Sequence, residues 1–438
     1  MRWRKTAGIT LIVTMLATAG CGLSGKDTGK TGNTPPVDPK TGQKGEVKGG
    51  TSSPGQKELK YLKEINLIDK GLRLNSLEYS PEGSILVSPD GRLAALSGTR
   101  YTKVDQQEEP ESQLIVADLT NGTVKVLDAG RLISVVQWSP GSDKILYKKF
   151  ESLMAVDVSK GRTVEISNRS YYGSISPDGS RVAYVEIGKG ISVAGLDGSG
   201  RKQLTQKRGD WSPVWYPDGK DIFYFDDRDI TLSDGAGQLM GLARVNVDTG
   251  KTEKLIPGET GKYRRAVWMA KDTFLINKGW DDGNYEIIAN LDTGTVTELG
   301  ENYMHTEYST TVDKNSGLVF KAEKTKVSAI DGNGRTVWTF PYKRPVSDSE
   351  LGNFGYTVSP DGKMLAYLFG EQGFNFESKD KGRTIWISGS DGTNPRTLTS
   401  EHGDYQQPAW TPDGKHLVAV ETDGGKGGKF IIRIWEAI

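Results

Sequence analysis

The sequence predicts an all-β protein, a β-propeller of eight blades closed by a strand near the N-terminus. Two turn phrases that alternate along the chain carry this reading. The composition agrees: 55 glycines lie among short apolar runs, and 9% of the 438 residues are aromatic. That balance suits many tight turns between short strands.

The first phrase is an apolar or aromatic residue, then Ser-Pro-Asp-Gly, then a short apolar strand. It occurs as Val87-Ser88-Pro89-Asp90-Gly91 before 93–96, Ile175-Ser176-Pro177-Asp178-Gly179 before 182–185, and Tyr216-Pro217-Asp218-Gly219 before 222–225. Val358-Ser359-Pro360-Asp361-Gly362 precedes 364–368, and Thr411-Pro412-Asp413-Gly414 precedes 417–420. Weaker copies start at Trp138, Trp268 and Val312. Proline presets φ at the first corner and Asp-Gly supplies the next positions, so each copy is a hairpin turn. The second phrase is an apolar strand, a polar turn with glycine and another strand, at 117–122, 156–161, 195–200, 245–250, 289–294, 329–334 and 388–392. The phrases interleave, so the unit is four strands. A β-sandwich of repeated hairpins would not alternate them so regularly. Units of this kind, about 46 residues each over 71–438, are propeller blades. Seven blades is the alternative count. It needs one long insertion, and Tyr79-Ser80-Pro81-Glu82-Gly83 is too close to Ser88 to found a blade.

The eighth unit stops after its third strand, Ile431-Ile432-Arg433-Ile434-Trp435. A blade without its outer strand exposes a bare edge. Residues 61–67 form an otherwise unexplained strand, expected to pair with 430–435 and close the ring. Trp138, Trp215, Trp268 and Trp410 are expected between blades.

Residues 1–20 read as a secretion signal: a basic head (Arg2, Arg4, Lys5), an apolar run at 7–18, and small residues up to Cys21. This order resembles the bacterial lipoprotein cleavage box, with Thr18 where an apolar residue is usual. The resemblance implies cleavage before an acylated Cys21 and a chain held on the extracytoplasmic face of the cell membrane. Cys21 is the only cysteine, so packing alone must stabilise the fold. Residues 21–60 are almost devoid of apolar side chains and read as a flexible tether, with a typical end-to-end distance on the order of 35 Å. The propeller occupies 61–438. The 56 basic and 56 acidic residues cancel, which argues against nucleic acid as a partner.

The first phrase, with Val182-Ala183-Tyr184 and Leu365-Ala366-Tyr367 after it, resembles the TolB-like, WD40-like propeller repeat. The resemblance covers nearly everything after residue 60 and implies the fold rather than a function. TolB itself carries an α/β domain where this chain has a tether, so its partner is not carried over. The repeat also builds the lid of prolyl oligopeptidase-like enzymes, but no Gly-x-Ser-x-Gly nucleophile turn occurs here.

No cofactor or metal site is expected. The three histidines (His305, His402 and His416) have no metal-ligand spacing. The acidic runs at 226–229 and 281–284 are expected in loops. The connections between blades carry the candidate binding residues: Tyr171, Tyr172, Trp211, Tyr263, Arg264, Arg265, Tyr303, His305, Phe354 and Tyr405. Aromatic and arginine side chains give contact area and directed hydrogen bonds. Long loops at 98–112, 226–239 and 370–382 are expected to add a rim on the same face. The expected function is non-enzymatic binding of a protein or cell-envelope polymer. The alternatives are a lyase or hydrolase using His305, Glu401, His402 and Asp404, or a sensor subunit for a membrane partner.

Overall fold

The computed structural model describes residues 58–72, 74, 76–77, 85–104, 107–231, 238–270, 272–278, 284–302, 310–313, 317–322, 326–341, 356–369, 383–391, 393–399, 403–406, 408–423 and 428–438. Their regular structure is entirely β, in eight antiparallel sheets. The signal, Cys21 and almost all of the tether lie outside the described residues.

Blade 2 shows the plan: strands Ile133–Trp138, Lys144–Lys149, Ser152–Asp157 and Arg162–Ser167 pair in order. The first strands of consecutive blades touch all round, and blade 8 meets blade 1. In blade 8, Asp404–Tyr405 and Ala409–Trp410 pair with His416–Thr422, which pairs with Phe430–Ala437. The outer strand is Leu59–Asn66, antiparallel to Phe430–Ala437 from Leu59↔Ala437 to Asn66↔Ile431. The expected closure is therefore present, with eight blades rather than seven.

No blade has a core of its own. Each second strand buries both faces, and alternate side chains enter different clusters. In Lys144–Lys149, Ile145 and Tyr147 join blade 1 while Leu146 joins blade 3. In the second strand of blade 4, Asp221–Thr231, Ile222 and Tyr224 face blade 3 while Phe223 and Phe225 face blade 5. In His416–Thr422, Leu417 and Ala419 face blade 7 and Val418 and Val420 face blade 1. This two-sided burial is why the strands read as continuous apolar runs instead of alternating ones. The tryptophans lie between blades as expected. Trp138 and Trp215 also donate Nε1–H across the gap, to Leu86 O at 2.9 Å and Ser174 O at 2.8 Å.

The Ser-Pro-Asp-Gly turn holds more than its proline and glycine suggest. Ser88, Ser176, Ser359 and Thr411 are fully buried. Each hydroxyl donates to the aspartate two residues on, at 2.6, 2.5, 2.6 and 2.7 Å. Each also accepts a backbone N–H from five residues on, at 2.9 Å. The Ser176 hydroxyl first, then the Ser180 amide, holds the Asp178 carboxyl down at about 2. In blade 2, Ser142 takes the left-handed backbone (φ 59°) that glycine takes elsewhere.

Two expected loops are strands. Residues 98–112 belong to a hairpin, Leu93–Val104 with Gln107–Asp118, paired from Leu93↔Asp118 to Val104↔Gln107. Much of 226–239 extends the second and third strands of blade 4, Asp221–Thr231 and Gln238–Asn246. The third loop, 370–382, and the extra turn copy at 79–83 lie outside the described residues.

A charged ladder crosses the closing seam. The Glu421 side chain is 4% exposed and accepts Arg433 Nε at 2.6 Å. It also meets Lys429, and Arg433 reaches Glu64 on the N-terminal strand. Removing one partner leaves a buried carboxylate under-paired, which costs about 3 kcal/mol. Arg433→Ala should lower the denaturant midpoint accordingly, and Glu421→Ala/Arg433→Ala should cost less than the two single variants summed. Strictly additive losses would show that the ladder is uncoupled.

Candidate functional site on the loop face

Successive strands in a blade run antiparallel, so the ring has two unlike faces. The turns between strands one and two and between strands three and four share one face, the turn face. The connections between strands two and three, and the passages from blade to blade, share the other, the loop face. The chain enters the ring at Leu59, opposite Ala437 at the end of a third strand, and therefore on the turn face.

Tyr171 and Tyr172 lie in the first strand of blade 3, Ser170–Ile175, and their side chains are outside the described set, as are Tyr303, His305 and Phe354 entirely. Trp211 opens the first strand of blade 4, Trp211–Trp215, half-buried against the clusters on both sides of that blade. Tyr263 opens the first strand of blade 5, Tyr263–Ala270, but is fully buried. Its ring stacks on Phe225 at 4.9 Å, and its hydroxyl donates to Glu259 Oε1 at 2.8 Å. Lys278 Nζ donates to the same oxygen at 2.8 Å. Burial first, then Glu259, raises the phenol well above its ordinary value. Arg264 and Arg265 follow it, half-buried. Tyr405 is buried between blades 7 and 8, and burial pushes its phenol up to about 12. Tyr263 and Tyr405 are thus inter-blade packing groups in this fold, not rings at an open mouth.

Of the alternative catalytic set, His305, Glu401 and His402 lie outside the described residues. Asp404 accepts Arg383 Nε at 3.0 Å and the Thr422 hydroxyl at 2.8 Å. Among the described residues, no group of three or more His, Cys, Asp or Glu could hold a metal ion. A cleft of about 420 Å³ lies on the turn face, between blades 1 and 2, lined by Asp90, Arg92, Asp118, Lys125 and Asp143. It is made from the repeat's own turns, on the side away from the expected site.

A buried polar cluster of the loop face lies in blade 4, where a solvated acidic loop was expected. Asp226, Asp227 and Arg228 belong to the second strand, and the two aspartates are buried, as is Asp210 just before the first strand. Asp210 Oδ1 accepts the Asp227 N–H at 3.0 Å. Arg228 Nε lies 3.3 Å from Asp226 Oδ2, and Lys207 Nζ lies 3.9 Å from Asp226 Oδ1. Arg228 lies across Gly241, the cross-strand partner of Asp226, where a Cβ would come within 1.9 Å of Nη2. The signal for this cluster was a charged run directly abutting Phe223-Tyr224-Phe225, with a glycine in the facing strand. The pairing register is needed to connect the two.

Burial raises the Asp210 carboxyl to about 6, against the lowering pull of its Thr205 and Asp227 hydrogen bonds. A carboxyl with a raised folded-state pKa binds its proton more tightly when folded. Its contribution to stability is complete below the unfolded value near 4 and is lost as pH rises through 6. Asp210→Asn keeps an oxygen for the Asp227 N–H without the charge. It should flatten this part of the pH profile and raise Tm by a few degrees at pH 8. Thermal unfolding on both sides of pH 6 checks this, and a lower Tm for the variant at pH 8 would contradict it.

No family model matches the chain. Dipeptidyl-peptidase 5 of Porphyromonas endodontalis is 24% identical over 269 residues, which are 57% of this chain and 37% of that protein. The chain therefore corresponds to little more than a third of that relative. The crystal structure of Porphyromonas gingivalis dipeptidyl peptidase 4 is similar at a TM-score of 0.51 and 13% identity, over 80% of this chain and 59% of that one. The Dos1 propeller is similar at a TM-score of 0.57 and 11% identity, over 86% and 95%. What these comparisons share with the present chain is the fold, here an eight-bladed β-propeller.

Proposed function

We propose that this chain is an extracytoplasmic lipoprotein, anchored through Cys21, whose propeller is a non-enzymatic scaffold that binds a protein through its loop face. One observation carries the reading: the hairpin of blade 1. Its two strands, Leu93–Val104 and Gln107–Asp118, have 12 residues each where blade 2 has six. The additional length projects from the loop face of a rigid ring, the arrangement in which binding elements are carried. Entry of the chain at Leu59 supports the same orientation. Because the chain joins the ring on the turn face, its point of attachment leaves the loop face uncovered. Burial of Tyr263 and Tyr405 takes two rings away from any sugar-stacking surface, which favours a protein over an envelope polymer.

The likeness to dipeptidyl-peptidase 5 supports a second reading, a peptidase-related role. The 438 residues contain no Gly-x-Ser-x-Gly turn, so this reading has the propeller serving a catalytic unit outside these residues. Hydrolysis of a chromogenic dipeptidyl substrate by the purified chain alone would overturn both readings in favour of an enzyme.

The main reading is tested by replacing residues 101–110 with a short Gly-rich turn, which leaves the four-strand body of blade 1 intact. Crosslinking in whole cells, read by mass spectrometry, should yield a partner protein with the natural chain and lose it with the shortened one, at unchanged Tm. A partner captured equally by both chains would remove the hairpin from the binding surface.

A further inference from the structure

The cleft between blades 1 and 2 is where the turn face departs from its own repeat. The first turns of blades 1, 3, 4, 7 and 8 read Pro-Asp-Gly, and that of blade 2 reads Pro140-Gly141-Ser142. Both changed residues stand in the wall of the cleft. Ser142 holds φ at 59°, where Gly91, Gly179, Gly219, Gly362 and Gly414 hold 66° to 75°. Serine bears that backbone at a cost that glycine avoids, and strain that is kept points to a use. Gly141 removes the carboxylate that the other turns carry at this position. The duty of that carboxylate has moved to Asp143, whose Oδ1 accepts the buried Ser139 hydroxyl at 2.8 Å.

The polar groups of the cleft divide by what they already bind. The acids are engaged. Asp90 Oδ1 accepts the Ser88 hydroxyl at 2.6 Å and the Arg92 N–H at 3.0 Å. Asp118 accepts the Thr120 and Asn121 amides at 2.8 and 3.1 Å and the Asn121 side chain at 3.2 Å. Asp143 also accepts Lys144 Nζ at 2.8 Å, and that ammonium first, then Ser139, holds its carboxyl below the ordinary value. The bases are not engaged. The exposed side chains of Arg92 and Lys125 make no hydrogen bond or ion pair with any described residue. Lys125 is the cross-strand partner of Val116, so it leaves the sheet on the side of blade 2. Ser142 is 9% exposed; its Oγ accepts the Asp90 N–H at 3.0 Å, and its own proton goes to no described acceptor. Leu93, Val116 and Val158 form an apolar floor, which is the edge of the cluster joining the two blades. A volume of about 420 Å³ places the cleft at the lower end of small-molecule sites.

We propose that this cleft binds a small organic acid, its carboxylate held by Arg92, Lys125 and the Ser142 hydroxyl, and its apolar part resting on Leu93, Val116 and Val158. The guanidinium fork matches a carboxylate bidentately, and the ammonium and hydroxyl add donors from the other walls. Charge sets the valence of the ligand. Arg92, Lys125 and Lys144 balance Asp90, Asp118 and Asp143, so the cleft is neutral. It accommodates one negative charge on its two unengaged cations, whereas the dianion of a phosphate monoester would face three carboxylates as well. The carboxylate can be that of a free acid or of a peptide C-terminus. The site lies on the opposite face from the protein surface proposed above and stands independently of it.

Isothermal titration of the full-length chain with Cys21→Ser, free of lipid and detergent, tests the proposal. The probes are N-acetyl-leucine, a carboxylate with an apolar side chain, and its amide, the uncharged control. The acid should bind, and the amide should bind at least tenfold more weakly. Arg92→Gln/Lys125→Gln should weaken the acid at least tenfold at unchanged Tm, since neither side chain has a partner in the fold. Ser142→Gly restores the glycine of the repeat; it should weaken the acid severalfold and leave Tm equal or higher. An N-acetylated tetrapeptide ending in leucine separates the two sources. Affinity equal to or above that of the acid assigns the site to peptide ends, and weaker binding assigns it to free acids. The proposal is overturned if N-acetyl-leucine does not bind, if acid and amide bind equally, or if Arg92→Gln/Lys125→Gln binds the acid as before. Inorganic phosphate binding more tightly than the acid would contradict the carboxylate assignment. So would a Ser142→Gly variant of unchanged affinity and lower Tm, because the serine would then be kept for the fold. None of these results bears on a partner protein crosslinked through the hairpin of blade 1.

Discussion

Every hydrophobic cluster in this ring is shared by two blades, and that single constraint governs the rest. A four-stranded sheet buried on both faces has no stable existence by itself. Its apolar runs are useful only when a neighbour stands on each side, and in a circle that condition closes only if the last blade is whole. The strand at 59–66 meets it, pairing with Phe430–Ala437 and adding Ile65 to the cluster that joins blades 8 and 1. The seam is also where the chain places charge in depth, with Glu421 buried between Arg433 and Lys429 and Glu64 reaching across from the N-terminal strand. Apolar packing there is much like that between any other two blades, so it cannot by itself choose which strand completes the sheet. A charged partner at a defined register can.

The two faces divide the labour. On the turn face, a buried hydroxyl, its aspartate and a left-handed glycine recur in four blades with nearly the same distances. That uniformity leaves little room for a specialised site except where it lapses, at the blade 2 turn beside the cleft. On the loop face less repeats among the described residues: a threonine hydroxyl accepts the N–H near the start of the third strand in blades 3 and 7, at 2.9 Å in each. There the chain lengthens a hairpin in blade 1, buries three carboxylates in blade 4 with an arginine packed against one of them, and holds Leu132 and Phe150 in a backbone form that suits glycine. Departures from local preference are tolerated where something is gained from them, which is why the protein binding proposed above is placed on this face.

Much of the architecture was legible because it rests on local chemistry repeated many times. Pro and Asp-Gly at fixed spacing announce a turn whatever surrounds it, and a third strand lacking its partner announces a missing one. The buried serine hydroxyl was not legible, since serine in a turn ordinarily faces water. Residues 98–104, 107–112 and most of 226–231 passed for loops because their polar composition matches a loop, and only the facing strand reveals that their backbone groups are paired. The binding residues were least legible. Tyr263 and Arg264 are adjacent in sequence, yet a period of two sends them to opposite sides of a strand, and bulges at 263/265 and 268/270 shift that register again. Composition alone leaves open which side chains look out from a strand.

The buried charge in blade 4 follows from the same geometry. Asp226, Asp227 and Arg228 continue the strand that places Phe223 and Phe225 against blade 5, so their backbone is committed to the ladder whatever their side chains require. The side chains find what the site allows: Asp210 takes the Asp227 amide, and Arg228 lies over a glycine, close to Asp226. Burial still lifts the Asp210 carboxyl toward neutrality, because the nearby cations face Asp226 more directly than Asp210. A buried cluster that is incompletely compensated is a weak source of stability and a strong source of conformational definition. It stiffens the base from which the second long hairpin rises, just as the hydrogen bond between Leu132 and Phe150 stiffens the loops next to the first. Both hairpins thus stand on polar or strained foundations.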